Sequence, residues 1–159
     1  MEETKKHILK VITPKAVLLP LTEEAKKSII NDPCETFLIR MSNFPYRIGR
    51  ESRVGENEKG LFVKFRIMKN IAKPKNDTFL YNSGKDLQIS KEHLQIEKDG
   101  NIYTLKDRGS SNGTTINGIT YGGNKKAFKR RIEDGDIIAI GDKKSKFEYQ
   151  FLILEKLEN

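Results

Sequence analysis

At 159 residues, with 36% hydrophobic and 33% charged content, the chain is the size of one domain, with or without an extension, and carries a lean two-layer core. Its formal charge of +8, from 30 Lys and Arg against 22 Asp and Glu, favours an anionic partner such as nucleic acid, an acidic membrane or a phosphorylated protein, or else simply keeps the surface soluble. No apolar run approaches the roughly 18 residues of a membrane span, the first residues hold too short an apolar stretch for a secretory signal, and the one cysteine, Cys34, excludes an internal disulfide and fits a reducing cytoplasm.

In chain order, Ile8–Leu19 reads as one or two short strands interrupted at Pro14. Thr22 followed by Glu23 and Glu24 reads as the N-cap and acidic first turn of a short helix reaching about Ile30. Asn31-Asp32-Pro33 ends it. Residues 1–34 are therefore expected to form an N-terminal extension with a strand and one helix. From Thr36 the pattern turns to β: a strand at Phe37–Met41, a turn at Ser42–Pro45, and a returning strand at Tyr46–Ile48 that ends in Gly49-Arg50. After a polar bend comes LFVKFRI (61–67). Leu61, Val63, Phe65 and Ile67 share one face there and Lys64 and Arg66 the other, which predicts an added strand with Val63, Phe65 and Ile67 buried.

The centre of the chain, 87–118, holds two loops of small and polar residues between alternating apolar runs. Ser90-Lys91-Glu92-His93 lies between Leu87/Ile89 and Leu94/Ile96. Asp107–Thr114 lies between Tyr103/Leu105 and Ile116. Hydroxyls, a carboxamide and main-chain N–H groups on strand ends suit a small anion. Beyond them, Asn117-Gly118 between Ile116 and Ile119 is a strong hairpin signal. Ile137–Ile140 and the alternating FEYQFLIL (147–154) complete about ten short strands, which argues an all-β sandwich of two antiparallel sheets.

Chemistry for catalysis is sparse. His7 and His93 are the only histidines, no paired His or Cys spacing suggests a metal, and Ser90-x-x-His93 lacks an orienting acid. Neither nucleotide-binding glycine motif is present. No enzyme activity, metal or cofactor is expected. Nucleic acid is disfavoured as a partner because the aromatics alternate into the expected core and form no stacking platform. Taken singly, His93 ties down its loop through backbone bonds, Gly113 and Gly118 are turn glycines, and Asn112 makes a local turn. Their combination with Gly49-Arg50 points further.

Five ordered blocks, RIGR (47–50), NDTFLY (76–81), ISKEHLQI (89–96), LKDRGSSNGTTING (105–118) and EDGDIIAIG (133–141), together resemble the forkhead-associated (FHA) family of phosphothreonine-recognition domains. The resemblance runs from about Phe37 to Leu154. It implies an eleven-stranded β-sandwich over 35–156 with its binding loops at one end, acting as a cytoplasmic adaptor that reads Ser/Thr kinase output on phosphothreonine-containing proteins. By the same resemblance Arg50 and Ser90 would contact the phosphate and Lys91 would add a contact. Ser111 would grip the phosphothreonine and Asn112 would bond the peptide main chain. Gly49, His93, Gly113, Asn117 and Gly118 would shape the loops. Phosphate-independent scaffolding on the same fold is the alternative. Two features depart from the family pattern: an insertion at about 51–75, and the first 34 residues.

Overall fold

Alternation decides most of the strands, and it decides which side of each becomes core. In the computed structural model, which describes residues 1–30, 32, 35–64 and 73–156, the elements run α1 (Glu2–Ile12), β1 (Ala16–Pro20), α2 (Glu23–Ser28), β2 (Ile39–Met41), β3 (Tyr46–Arg50), β4 (Val54–Asn57), β5 (Gly60–Val63), β6 (Thr78–Leu80), β7 (Leu94–Asp99), β8 (Ile102–Asp107), β9 (Thr114–Ile116), β10 (Ile119–Tyr121), β11 (Lys129–Ile132), β12 (Ile137–Ile140) and β13 (Glu148–Ile153). One sheet has six strands in the order β10-β9-β12-β13-β1-β2, and the other has five in the order β11-β8-β7-β3-β6. This is the expected β-sandwich, with the difference that the five-stranded sheet is mixed, its β3 and β6 running parallel.

Every second side chain enters one core: Ile39 and Met41, Leu94 and Ile96, Tyr103 and Leu105, Ile138 and Ile140, Tyr149 and Phe151 are all buried. Tyr103 stands between Phe44 and Phe151 in edge-on contacts, with centroids 5.5 and 5.3 Å away. Both large buried phenols find partners at their tips. Tyr103 donates to Glu155 at 2.5 Å, and Tyr149 shares a 2.5 Å bond with Ser28 on α2. Burial raises both phenol pKa values above the ordinary range, so each stays a hydroxyl.

The expected strand over Ile8–Ile12 is a helix instead. Ile8, Leu9, Val11 and Ile12 are β-branched or apolar enough for a strand, but they also recur at helical spacing, with Glu2 and Glu3 in the first turn and Lys10 in the last, where the helix dipole favours those signs. Thr13 is extended and Pro14 follows, so the helix stops there. No residue of α1 is buried. The other elements of the first 34 residues join the sandwich: β1 pairs antiparallel with both β13 and the edge strand β2 in the six-stranded sheet. α2 ends at Ser28, two residues short of expectation, and the Thr22 side chain caps it by accepting from Ala25 N at 3.1 Å. Among the described residues, no helix is long and apolar enough to cross a membrane.

The insertion also differs from expectation. β5 stops at Val63 and, among the described residues, pairs only with β4, forming a two-stranded sheet apart from the sandwich. Leu61 and Phe62 are 42% and 41% exposed, and Val63 is half-buried. A two-stranded ribbon has no second layer on which to lay an apolar face, so alternation here did not become burial. Phe65, Arg66 and Ile67 lie outside the described residues. The length of 51–77 has a topological reason as well. β3 and β6 are parallel neighbours, unlike the other pairs, and parallel pairing needs a crossover of a dozen residues or more.

Candidate functional site

One end of the sandwich gathers the exit of β3 and the loops 81–93 and 108–113. Gly49 is there because nothing larger fits. A Cβ would stand 2.0 Å from the Lys91 carbonyl oxygen and 2.6 Å from the Asn76 amide nitrogen. Arg50 N donates to Ser90 O at 3.0 Å, tying the strand end to the first loop. The nearest acid in sequence, Glu51, is occupied elsewhere: its buried carboxylate receives Arg53 N at 2.8 Å and Arg53 Nε at 3.1 Å. The Arg50 guanidinium therefore has no hydrogen bond or ion pair among the described residues.

His93 holds the two loops together. Fully buried, it receives Ser90 N on Nδ1 at 2.9 Å, and its Nε2 lies 2.8 Å from Gly113 O. An N–H donor aimed at Nδ1 leaves that nitrogen bare, so Nε2 carries the proton and donates to Gly113. Burial lowers the His93 pKa from 6.5 to about 4, against the opposing charge of Asp107, so the ring is neutral near pH 7. The second loop is folded around the buried Asp107. Its Oδ1 accepts Gly109 N at 2.8 Å and Ser110 N at 2.7 Å, and its Oδ2 accepts Ser110 Oγ at 2.6 Å. Gly113 N then donates to Ser110 Oγ at 3.0 Å. Gly113 has a φ of 77°, and a Cβ there would meet Tyr121 O at 2.5 Å.

The loops also meet directly. Ser111 N donates to Ser90 Oγ at 3.0 Å, which fills a lone pair and leaves the Ser90 hydroxyl proton free. The Asn112 amide donates to Leu87 O at 2.8 Å, and its Oδ1 has no partner among the described residues. Asn112 thus already bonds a main chain, its own. Lys91 and the Ser111 side chain are exposed. Arg50, Ser90, Lys91, Ser111 and Asn112 are thereby brought to one end, with Gly49, His93 and Gly113 beneath them. Asn117 and Gly118 are not. They turn β9 into β10 beyond the far end of β9, where Asn117 accepts Ile137 N at 2.9 Å and donates to Asp136 at 3.0 Å.

Three residues absent from the sequence reading of the site complete it. Asn76, 3% exposed, donates to Lys91 O at 2.8 Å, and the Arg108 guanidinium donates to Asn76 Oδ1 at 2.6 Å, Lys75 O at 2.9 Å and Glu92 at 2.8 Å. Burial lowers the Arg108 pKa from its ordinary value, Glu92 opposes that, and nearby Arg47 adds to it. Asn82 accepts Gln88 N and Ile89 N, both at 3.0 Å, and so shapes the approach to Ser90. Asn76 stood within NDTFLY, but nothing in its spacing showed that it meets Arg108, 32 positions away.

This end of the sandwich thus carries a guanidinium unpaired among the described residues, a lysine ammonium and two hydroxyls, on loops held by buried hydrogen bonds. It is suited to a tetrahedral oxyanion.

Comparison with known proteins agrees in the same region. The family model for the FHA domain matches residues 46–141, more than half of the chain. FHA domain-containing proteins of Arabidopsis thaliana and Mycobacterium tuberculosis (FhaA) are each 38% identical, over 58 and 56 residues. Those stretches cover 36% and 35% of this chain, but only 14% and 10% of the relatives' own lengths. Among solved structures, the FHA domain of an Arabidopsis thaliana hypothetical protein aligns with a TM-score of 0.50 at 21% identity, covering 92% of each chain. Yeast Pml1p aligns at 0.52 and 15%, covering 96% of this chain and 92% of its own. Mycobacterium tuberculosis EmbR, solved in complex with a low-affinity phosphopeptide, aligns at 0.51 and 18%, covering 99% of this chain and 31% of its own. At these identities the structural likenesses speak for the fold, and the family match carries the assignment: the chain belongs to the FHA domain family, a family of binding modules.

Proposed function

We propose that this protein is a phosphothreonine-peptide-binding adaptor acting in Ser/Thr kinase signalling, without enzymatic activity of its own. The observation that carries the reading is the Arg50 guanidinium, without an acid among the described residues, on a strand end whose N–H bonds Ser90 O in the loop that also carries the free proton of Ser90 Oγ and the exposed Lys91. A phosphate monoester brings a charge of about −1.5 to −2 and three acceptor oxygens, which these donors match. Arg50 and Ser90 take the phosphate and Lys91 adds a solvated contact. Ser111 holds the phosphothreonine side, and Asn112 offers Oδ1 to the peptide main chain. EmbR was solved with a phosphopeptide on a similar fold, which supports the same class of ligand here.

Titration calorimetry with one phosphothreonine peptide and its unphosphorylated twin tests this. Arg50→Ala is expected to weaken phosphopeptide binding by about 2–5 kcal/mol, as for truncating one partner of a desolvated charge pair, with thermal stability kept. Wild-type affinity in Arg50→Ala, or equal binding of the two peptides, rejects the phosphate site and favours phosphate-independent scaffolding.

A further inference from the structure

A phosphothreonine site can take a threonine of this very chain. The exposed threonines among the described residues are Thr4, Thr13 and Thr36. Thr4 lies within α1 and is held helical. Thr36 Oγ1 donates to Asp32 at 2.7 Å and also accepts from the Arg40 guanidinium. Thr13 differs from both. It caps the C-terminal end of α1 with an extended backbone, φ −79° and ψ 126°, and its hydroxyl has no hydrogen bond among the described residues. Pro14 follows, which holds the residue before it out of the helical region. A free hydroxyl on a segment already extended is open both to a kinase and to a binding loop.

Thr13 lies at the end of the sandwich away from its own Arg50 site. The loop before β13 belongs to the binding end, where Asp142 N donates to Gln88 Oε1 at 3.0 Å. β13 runs from there to Ile153, and β1 pairs with it so that Ala16 stands opposite Ile153. Lys15 N is fixed to Met41 O at 2.9 Å. Thr13 therefore swings on two residues, a reach of ~7 Å, while the six residues of β13 that separate it from the loops span ~17 Å. The segment cannot fold back into its own site, but it can enter that of a second copy.

The two ends carry opposite charge. Near the site, Lys85, Lys91, Lys143 and Lys144 are exposed and, like Arg50, hold no acid among the described residues. The acids beside them, Asp86 and Asp142, turn to the Gln88 amide. At the far end Asp99 is exposed, and the Asp134 and Asp136 carboxylates accept from neutral groups: Ile153 N, Glu133 N and the Asn117 amide. Lys10 and Lys15 flank Thr13 and oppose this polarity, and a phosphate of charge about −1.5 to −2 offsets them. Phosphate on Thr13 also acts on α1. A negative group at a helix C-terminus opposes the macrodipole, and an 11-residue helix with no buried residue is marginal by itself. Its last turn is released as the ligand is made.

We infer that Thr13 is a phosphorylation site, and that the phosphorylated Thr13 segment of one copy docks at the Arg50 site of a second copy, head to tail. This rests on the phosphothreonine reading of the Arg50 site. The modification is a phosphoryl transfer from ATP by a Ser/Thr kinase. The bond from the γ-phosphorus to Thr13 Oγ1 forms as its bond to ADP breaks, and the hydroxyl proton passes to a base of the kinase.

The test uses the full chain phosphorylated at Thr13, its unphosphorylated form, and the phosphorylated chain carrying Arg50→Ala, in sedimentation velocity over a concentration series. The phosphorylated chain is expected to pass from monomer to larger species as concentration rises, and the other two to stay monomeric. In fluorescence anisotropy, a phosphorylated peptide of residues 8–20 should bind the unphosphorylated chain about thirtyfold tighter than its unphosphorylated twin, the lower end for a desolvated charge pair. That measurement stands even where phosphorylation alters the chain's own stability. A proline-directed Ser/Thr kinase with ATP should place phosphate on Thr13 of the folded chain, read by mass spectrometry, and leave Thr13→Val unmodified there. A chain left unmodified at Thr13, a phosphorylated chain that stays monomeric, or a phosphorylated peptide no tighter than its twin overturns the inference. Binding of a phosphothreonine peptide of unrelated sequence then keeps the Arg50 reading standing. A phosphorylated monomer that refuses that unrelated peptide shows the segment closing on its own chain, and overturns the head-to-tail docking. If neither phosphopeptide binds, the underlying reading and this inference fall together.

Discussion

The β4–β5 hairpin and the loops around Ser90 and Ser111 are opposites. The hairpin is regular, with a four-pair ladder, yet among the described residues it is joined to no other sheet and leaves Leu61 and Phe62 about two-fifths exposed. The loops have almost no regular structure, yet Asn76, Asn82, His93, Asp107 and Ser110 beneath them are all buried, and each is hydrogen-bonded. The difference teaches that order at this end of the molecule comes from buried side chains that satisfy loop backbone groups, not from ladder pairing. A buried donor left unmatched costs about 1–3 kcal/mol, so each such bond penalises every other arrangement of the loop. A phosphate site needs that rigidity, since its donors must already face one point when the ligand arrives.

The largest effect on this contrast is expected from Asp107→Ala. Gly109 N, Ser110 N and the Ser110 hydroxyl lose their acceptor together, and the cost in urea unfolding should be about 3–5 kcal/mol. A loss under about 1 kcal/mol would show that the loop is held by something else.

Acid should act next, through His93. Its folded pKa of about 4 lies below the ordinary 6.5, so the folded state favours the neutral ring. The contribution is therefore complete above about pH 6.5 and lost as pH falls towards 4, with the unfolded chain binding the extra proton in that window. On the order of 3 kcal/mol is at stake. Unfolding free energy measured from pH 7 to 4 should show this slope in wild type and lack it in His93→Asn. Equal slopes would remove His93 as the acid-sensitive tie between the loops.

Arg108→Ala sharpens the comparison at the join with the insertion. Its guanidinium bonds Asn76, Lys75 and Glu92, and Asn76 in turn holds Lys91 O. The expected loss is about 1–3 kcal/mol in stability, with phosphopeptide affinity falling as well because the Ser90-Lys91 loop loses its brace. Unchanged affinity would confine Arg108 to the fold. The smallest effect is expected from Leu61→Ser with Phe62→Ser, within about 0.5 kcal/mol of wild type by urea unfolding, as for surface positions away from packing. A loss above 2 kcal/mol would mean that the hairpin is packed after all, and the contrast with the loops would fail.

Much of this was legible in the chain itself. Tyr103/Leu105, Ile138/Ile140 and Tyr149/Phe151 alternate because one face of each strand must leave water, and that period of two survives any choice of partner strand. Asn117-Gly118 announces its turn because few residue pairs accept positive φ at both positions, and the values found are 49° and 84°. Arg50, Ser90, Ser111 and Asn112 stood out through the ordered motif blocks around them. Tertiary structure decided the rest. Ile8–Ile12 carries three β-branched residues, which suit a strand, but its apolar positions fall at helical spacing, and α1 formed with none of its residues buried. Leu61 and Phe62 stayed about two-fifths exposed because burial also needs a facing layer, and among the described residues the hairpin pairs only within itself. β1 found β13 across more than 120 positions, and Arg108 found Asn76 across 32. Such meetings depend on how the sheets close, because a side chain's local pattern fixes the direction in which it points but not which distant group will be waiting there.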